Sequence, residues 1–193
     1  MFNDRSSVST LLATRRSGKP RDMVEPGPDA AQLRDILQAA MRVPDHGKLA
    51  PWRFIIVPAD QRTNFADLLT RAYTAEKPDA GPLELAPLQQ FARQAPVMVA
   101  VLSSPVAHPK IPAWEQQLSA GAACMNLLTA AHAAGFVGGW LTGWAAYSPV
   151  VVEGLGGRTG DRIAGFVFIG SPSRQLEERP RPAYEDVVST WIG

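Results

Sequence analysis

Apolar residues recur at helical spacing over the first part of the chain. Ser7 to Thr14 carries Val8, Leu11 and Leu12 and predicts a short helix. A polar loop from Arg15 to Pro28 follows. Leu33, Ile36, Leu37, Ala40 and Met41 then fall on one apolar helix face. Asp29 is placed to cap that helix, Gln32 completes a capping box, and Pro44 ends it. The run Phe54-Ile55-Ile56-Val57 is β-branched and aromatic without interruption, which predicts a central strand buried on both faces. Asp60 is the expected cap of the next helix, with Phe65, Leu68, Leu69, Ala72 and Tyr73 inward. After a loop from Lys77 to Pro82, Leu83 to Gln94 reads as helical although Pro87 interrupts its pattern. Val97 to Leu102 is a second buried strand, and Ser103 to Pro112 a proline-containing loop.

Ala113 to Ala134 is the longest predicted helix, closed by Gly135. Its run Ser119 to Ala123 is small enough to let another helix approach closely. Phe136 to Trp144 is a glycine-punctuated segment of unassigned type. Ser148-Pro149 starts a short helix that Gly156-Gly157 stops. Ile163 to Ile169 is a third strand, ended by Gly170-Ser171-Pro172. The tail from Ser173 is polar and turns apolar at Val187, Val188, Trp191 and Ile192. A few strands in one sheet, several helices and one dominant small-residue helix predict an α+β domain spanning residues 1–193.

Composition narrows the partners. Nineteen Lys and Arg against 18 Asp and Glu leave a net charge of +1, which argues for neither nucleic acid nor an acidic membrane surface. Basic residues nevertheless cluster at Arg15 to Arg21 and at Arg174 to Arg181, a pattern suited to a small anion. The one cysteine, Cys124, allows no intrachain disulfide and fits a reducing cytoplasm. The amino-terminal residues lack the apolar core of a secretory signal. The low-charge stretch from Leu118 to Trp144 carries Ser119, Asn126, Thr129, His132 and several glycines, so it reads as a buried helix and turn rather than a membrane span.

Candidate chemistry by the chain's own side chains is sparse. No phosphate loop, dinucleotide fingerprint or nucleophile elbow occurs, and the three histidines, His46, His108 and His132, lack metal-ligand spacing. That sparseness favours a borrowed cofactor. Arg15-Arg16-Ser17 groups two guanidiniums and a hydroxyl, a phosphate-binding combination, with a solvated surface cluster as the alternative. Arg179-Pro180-Arg181 presents two more guanidiniums from a stiffened segment. Gly138-Gly139-Trp140-Leu141-Thr142-Gly143-Trp144 can bring backbone close to a flat ligand, or can be a turn with core tryptophans. Pro44 to Trp52 spends nine residues on a helix-to-strand connection that ordinarily needs fewer, so it is a functional loop or a plain surface turn. His132 reads as a satisfied core or interface group and His108 as a loop residue.

Taken in order, these pieces resemble the nitroreductase family of flavin-dependent oxidoreductases, in particular its small YdjA-like branch. The resemblance rests on Arg15-Arg16-Ser17, the loop Pro44 to Trp52, Trp114-Glu115-Gln116 with Ser119-Ala120-Gly121, Gly135 to Gly139, and Gly170 to Pro172. It implies a central, mostly antiparallel sheet flanked by helices, with the long helix at a homodimer interface. It implies FMN bound at that interface, NAD(P)H as electron donor, and a ping-pong transfer through flavin N5 to a small acceptor such as a nitroaromatic or quinone. Arg15 and Ser17 would hold the phosphate, joined by Arg181 and Arg179, with Arg16 also counted among the cofactor-binding residues. Lys19 would lie near the ribityl chain or pyrimidine edge. Asp45, His46 and Lys48 would reach the partner subunit's flavin, and Trp140, Leu141, Thr142 and Gly143 would border the ring. No catalytic side chain is implied; His46 is the best polar candidate near the ring, with a structural loop histidine as the alternative. Lys48, Ala50 and Leu141 depart from the usual asparagine, glutamine and arginine of the pattern. Two other readings stay open: an FMN-binding carrier or sensor without turnover, and a helical interaction protein with no cofactor.

Overall fold

The computed structural model describes residues 2–193. Twelve elements follow in chain order: α1 (Val8–Thr14), β1 (Met23–Val24), α2 (Ala30–Ala40), β2 (Trp52–Ile56), α3 (Arg62–Glu76), α4 (Pro82–Arg93), β3 (Val97–Ser103), α5 (Ala113–Ala133), β4 (Val137–Leu141), α6 (Pro149–Gly154), β5 (Arg162–Pro172) and α7 (Tyr184–Val187). The strands form one antiparallel sheet in the order β1-β5-β3-β2, with β4 also paired to β5. The long β5 is the spine: it pairs with all of β3, with β4 from Phe166 to Gly170, and with β1 at Ser171 and Pro172.

The period-two alternation of β3 and β5 divides the interior into two cores. Met98, Ala100, Leu102, Phe166 and Phe168 point to one side, where Phe65, Ala66 and Leu69 of α3, Ala92 of α4 and Val151 of α6 cover them. Val99, Val101, Val167 and Ile169 point to the other, against Ile36 and Ala40 of α2 and Cys124, Leu127, Leu128 and Ala131 of α5. The result is a helix–sheet–helix sandwich of the expected α+β class.

Local signals explain most element ends. The Asp29 carboxylate accepts from the Gln32 backbone N–H at 2.8 Å, and the Gln32 side chain accepts from the Asp29 N–H at 3.0 Å, closing the capping box. Ser7 caps α1 through the Thr10 N–H. Gly135 follows α5 at φ +97°, the left-handed position that favours glycine.

Four expectations need correction. Phe54–Val57 does not lie in the middle of the sheet. β2 is an edge strand, and Ile56 is exposed. The apolar run reflects coverage on two faces, Phe54 against one core and Ile55 against the other, rather than neighbours on both edges. Asp60 sits in a 3-10 turn (Ala59–Gln61), and α3 starts at Arg62 without a side-chain cap. Ser148 does stand at the N-cap of α6 ahead of Pro149, but its hydroxyl donates to Glu76 instead of accepting from the helix. The glycine-punctuated segment contains a strand, β4, and a further two-residue strand, β1, lies within the loop predicted from Arg15 to Pro28. β4 was masked because a Cβ on Gly138 would meet the Leu128 side chain at 2.6 Å, and one on Gly139 would meet the Gly18 carbonyl oxygen at 2.6 Å. Close approach removed the side chains whose alternation would have marked the strand.

One buried cation ties the first core together. Arg62 donates to the carbonyl oxygens of Val57 (2.9 Å), Ala92 (3.0 Å), Gln94 (3.2 Å) and Pro96 (3.3 Å). It has no carboxylate partner among the described residues, and burial holds its pKa below the usual arginine range. The carbonyl-rich end of α4 stabilises the charge in place of a counter-ion.

Candidate functional site

A cleft of about 850 Å³ opens between the Arg15–Met23 segment, β4 and the tail beyond β5. The segment after α1 is held against β4 by the Gly18 N–H, which donates to the Gly138 carbonyl at 3.1 Å. This contact carries Arg15, Arg16, Ser17 and Lys19 to the cleft wall. Met125 and Leu128 of α5 and Val137, Trp140 and Leu141 of β4 supply an apolar side. The Trp140 indole is fixed by its Nε1–H, which donates to the Ala164 carbonyl at 3.1 Å. Arg179 and Arg181 enter from the tail. Eight of the thirteen site residues expected from the sequence therefore line one cavity: Arg15, Arg16, Ser17, Lys19, Trp140, Leu141, Arg179 and Arg181.

Their electrostatic states differ. Arg15 is half-buried and donates to the Ser17 hydroxyl at 3.2 Å. Burial, then the nearby Arg181 and Arg16, hold its pKa below the usual arginine range. Arg15 and Arg181 have no carboxylate partner among the described residues, whereas Lys19 pairs with Glu177 at 3.1 Å and Arg174 with Asp22 at 3.3 Å. Arg16 grips both oxygens of Glu178 through Nε and Nη2, its Nη1 donates to the Arg15 carbonyl at 2.7 Å, and its guanidinium lies over the Phe2 ring. Among the described residues the cleft thus has three guanidiniums, Arg15, Arg179 and Arg181, and a hydroxyl left for an anion, and three cations, Arg16, Lys19 and Arg174, already engaged by the chain's own carboxylates. Monophosphate chemistry fits that donor set.

Five expected residues lie elsewhere in the same chain. Thr142 and Gly143 are exposed beyond the end of β4 and do not line the cleft. Asp45, His46 and Lys48 lie in the loop between α2 and β2. The Asp45 carboxylate accepts from the Leu49 N–H at 3.0 Å and the Ala50 N–H at 2.8 Å. It thereby holds a loop in which Gly47, Lys48 and Ala50 all have positive φ. His46 Nδ1 lies 2.7 Å from Glu115 at the start of α5. Lys48 is exposed.

Sequence reasoning missed the acidic members of the site. Asp22, Glu177 and Glu178 line the cleft beside the arginines, and Leu176 anchors the tail against the first core. Their signal was the pair Glu177-Glu178 inside an otherwise basic run. His132 is buried as expected but not satisfied. Its Nδ1 faces the Phe136 carbonyl at 3.4 Å, while Nε2 has no partner among the described residues. Burial, then the charge of Arg15, pushes its pKa down to about 4. Cys124 is also buried, which pushes its thiol up to about 12. No helix among the described residues is long and apolar enough to cross a membrane.

Comparison with known proteins bears on the whole arrangement. The model of the Nitroreductase family matches residues 12–171. The chain is 38% identical over 162 residues to the Escherichia coli (strain K12) protein named "Putative NAD(P)H nitroreductase YdjA", covering 84% of this chain and 86% of that protein. It is 38% identical over 173 residues to a Haemophilus influenzae protein named "Putative NAD(P)H nitroreductase", covering 89% and 92%. In structure it resembles a nitroreductase-like family protein from Bacillus cereus, with a TM-score of 0.84 and 22% identity over 97% of each chain. It also resembles a nitroreductase with bound FMN from Bacteroides fragilis, with a TM-score of 0.68 and 19% identity over 94% and 96%. The order of its motifs, its antiparallel sheet between helices and the extent of these matches agree: the chain belongs to the nitroreductase family.

Proposed function

We propose that the cleft binds FMN and that the protein, a single domain over residues 1–193, is a cytoplasmic oxidoreductase. It would take electrons from NAD(P)H and pass them to a small acceptor such as a nitroaromatic or quinone. The observation that carries this reading is the set of uncompensated cations, Arg15, Arg179 and Arg181, beside the Ser17 hydroxyl at the polar end of a cleft whose other wall is apolar. A flavin mononucleotide has that same division, a dianionic phosphate joined to a flat ring system. Arg15, Ser17 and Arg181 would hold the phosphate, Lys19 would serve the ribityl or pyrimidine edge, and Trp140 and Leu141 would face the ring. Bound FMN would supply the redox chemistry, with a hydride accepted at N5 and electrons passed on in a ping-pong cycle. The chain's part is binding, orientation and exclusion of water.

The reading includes a homodimer. Val8 and Leu12 on α1, Trp114, Leu118 and Met125 on α5, and Val187, Val188, Trp191 and Ile192 in the tail are all exposed apolar residues. A surface of that kind supports burial against a second copy. In the dimer, Asp45, His46 and Lys48 would approach the partner subunit's flavin, and Thr142 and Gly143 would border the ring through their backbone.

Anaerobic stopped-flow mixing of the FMN-loaded protein with NADH and with NADPH, followed by an acceptor panel, tests the proposal. The expected result is bleaching of the flavin absorbance and its return on adding acceptor. A yellow protein that stays oxidised under both nicotinamides would mark a carrier or sensor instead. A protein that takes up no added FMN would overturn the reading.

A further inference from the structure

The tail beyond β5 reaches the cleft through a short series of ties. The Ser173 N–H and hydroxyl both donate to the Asp22 carbonyl, at 2.9 and 2.8 Å. Leu176 packs on the first core, Glu177 meets Lys19, and Glu178 meets Arg16. Beyond Glu178 the hydrogen bonds of the described residues stay within the tail: Arg181 donates to the Arg179 and Pro180 carbonyls, and α7 bonds only to itself. The Arg16–Glu178 pair is therefore the last bonded attachment before Arg181, the residue whose charge is felt at Arg15 across the cleft.

Arg16 is poorly placed to serve a ligand. Its Nε and Nη2 donate to Glu178, its Nη1 donates to the Arg15 carbonyl, and one face covers Phe2, leaving 15% of its side chain exposed. A bidentate pair of this kind fixes geometry as well as charge. A direct cofactor contact by Arg16, as the sequence suggests, fits poorly with a guanidinium already engaged in this way.

We propose that Arg16 and Glu178 are positioning residues, a clamp that fastens the tail so that Arg181 faces Arg15 and Ser17, and that neither touches the ligand itself. The proposal rests on the reading of the cleft as a site for a flavin phosphate. It reverses the sign that simple electrostatics gives. Glu178 is an anion beside a phosphate site, so as a mere competitor its removal would tighten binding. As half of a clamp, its removal releases Arg181 and weakens binding.

The experiment is a thermodynamic cycle on flavin affinity, read by quenching of flavin fluorescence in wild type, Arg16→Ala, Glu178→Ala and the double variant. Each single variant is expected to weaken FMN binding about tenfold, the scale of one misplaced charge-assisted contact. The double variant is expected to be no weaker than either single. Riboflavin, which has the ring and ribityl chain but no phosphate, is expected to bind all four proteins equally. Should Glu178→Ala not fold, Glu178→Gln, which keeps the shape and loses the charge, takes its place with the same sign expected. Tighter or unchanged FMN binding by Glu178→Ala overturns the clamp, as do additive losses or a parallel loss for riboflavin. Failure of the wild type to bind FMN overturns the reading of the cleft and leaves a different signature.

Discussion

Arg62→Met removes the guanidinium that gathers the carbonyls of Val57, Ala92, Gln94 and Pro96. Methionine keeps much of the stem and its packing but offers no donor. The bonds to Val57 and Ala92 are buried, and those to Gln94 and Pro96 partly so. A buried acceptor left unpaired costs about 1–3 kcal/mol, and the half-exposed carbonyls can recruit water. Removing a cation that has no counter-ion relieves some desolvation, so the net loss is about 2–4 kcal/mol. With about 2.1 cal/mol/K of unfolding entropy per residue, a chain of 193 residues unfolds with about 0.4 kcal/mol/K. The melting temperature should then fall by about 5–10 °C. Urea unfolding measures the loss of free energy and a thermal melt the shift in melting temperature, both at fixed protein concentration and saturating FMN, since ligand binding and any self-association shift apparent stability. Arg62→Lys, with three donors on one nitrogen, should recover part of the loss. A stability of Arg62→Met within about 1 kcal/mol of wild type would refute the reasoning, because the four carbonyls would then be served equally well by water.

Three further outcomes follow from particular residues. The folded chain holds His132 neutral down to about pH 4, whereas its ordinary value is 6.5. Its contribution is therefore complete above pH 6.5 and is lost as pH falls toward 4, by at most about 3 kcal/mol. Unfolding free energies measured from pH 7 to pH 4 should fall less steeply in His132→Gln, and identical slopes would sink the assignment. Gly139→Ala puts a Cβ 2.6 Å from the Gly18 carbonyl oxygen. It should displace the Arg15–Lys19 segment and weaken FMN binding by about tenfold or more, whereas unchanged affinity in titration would show that the segment is not held there. Lys48→Ala should lower the flavin midpoint potential, because a cation near the reduced ring favours its negative charge. An unchanged potential by spectroelectrochemistry would remove Lys48 from the flavin's surroundings.

What the sequence disclosed depended on whether the signal was local. The Asp29–Gln32 capping box, the glycine after α5 and the apolar face of α2 are encoded within a few residues, and the structure reproduces them. Arg15, Ser17 and Arg181 could be grouped by residue type, and they line one cleft although 166 positions separate Arg15 from Arg181. The engagement of Arg16 was not legible because it depends on Glu178, a partner no local pattern names. β4 stayed hidden because the contacts that place it require glycine. β2 was assigned to the middle of the sheet because apolar coverage of two faces looks the same at an edge as at the centre. Arg62 gave no signal: an arginine at the start of a helix resembles any solvated residue until four carbonyls converge on it.

The dominance of β5 has a consequence for how the protein comes into being. β1 and β4 pair with no other strand, so neither can join the sheet before residues 162–172 have left the ribosome. β2 and β3 can pair earlier, but β3 then shows one open edge and parts of two uncovered cores. The cleft comes later still, since it joins Arg15 to Arg181, which lies beyond β5. Such distant pairing is slow and favours late closure. On the proposed reading, cofactor cannot be captured until β5 and the tail through Arg181 are in place, and a nascent chain stalled before β5 has no site to be rescued by flavin.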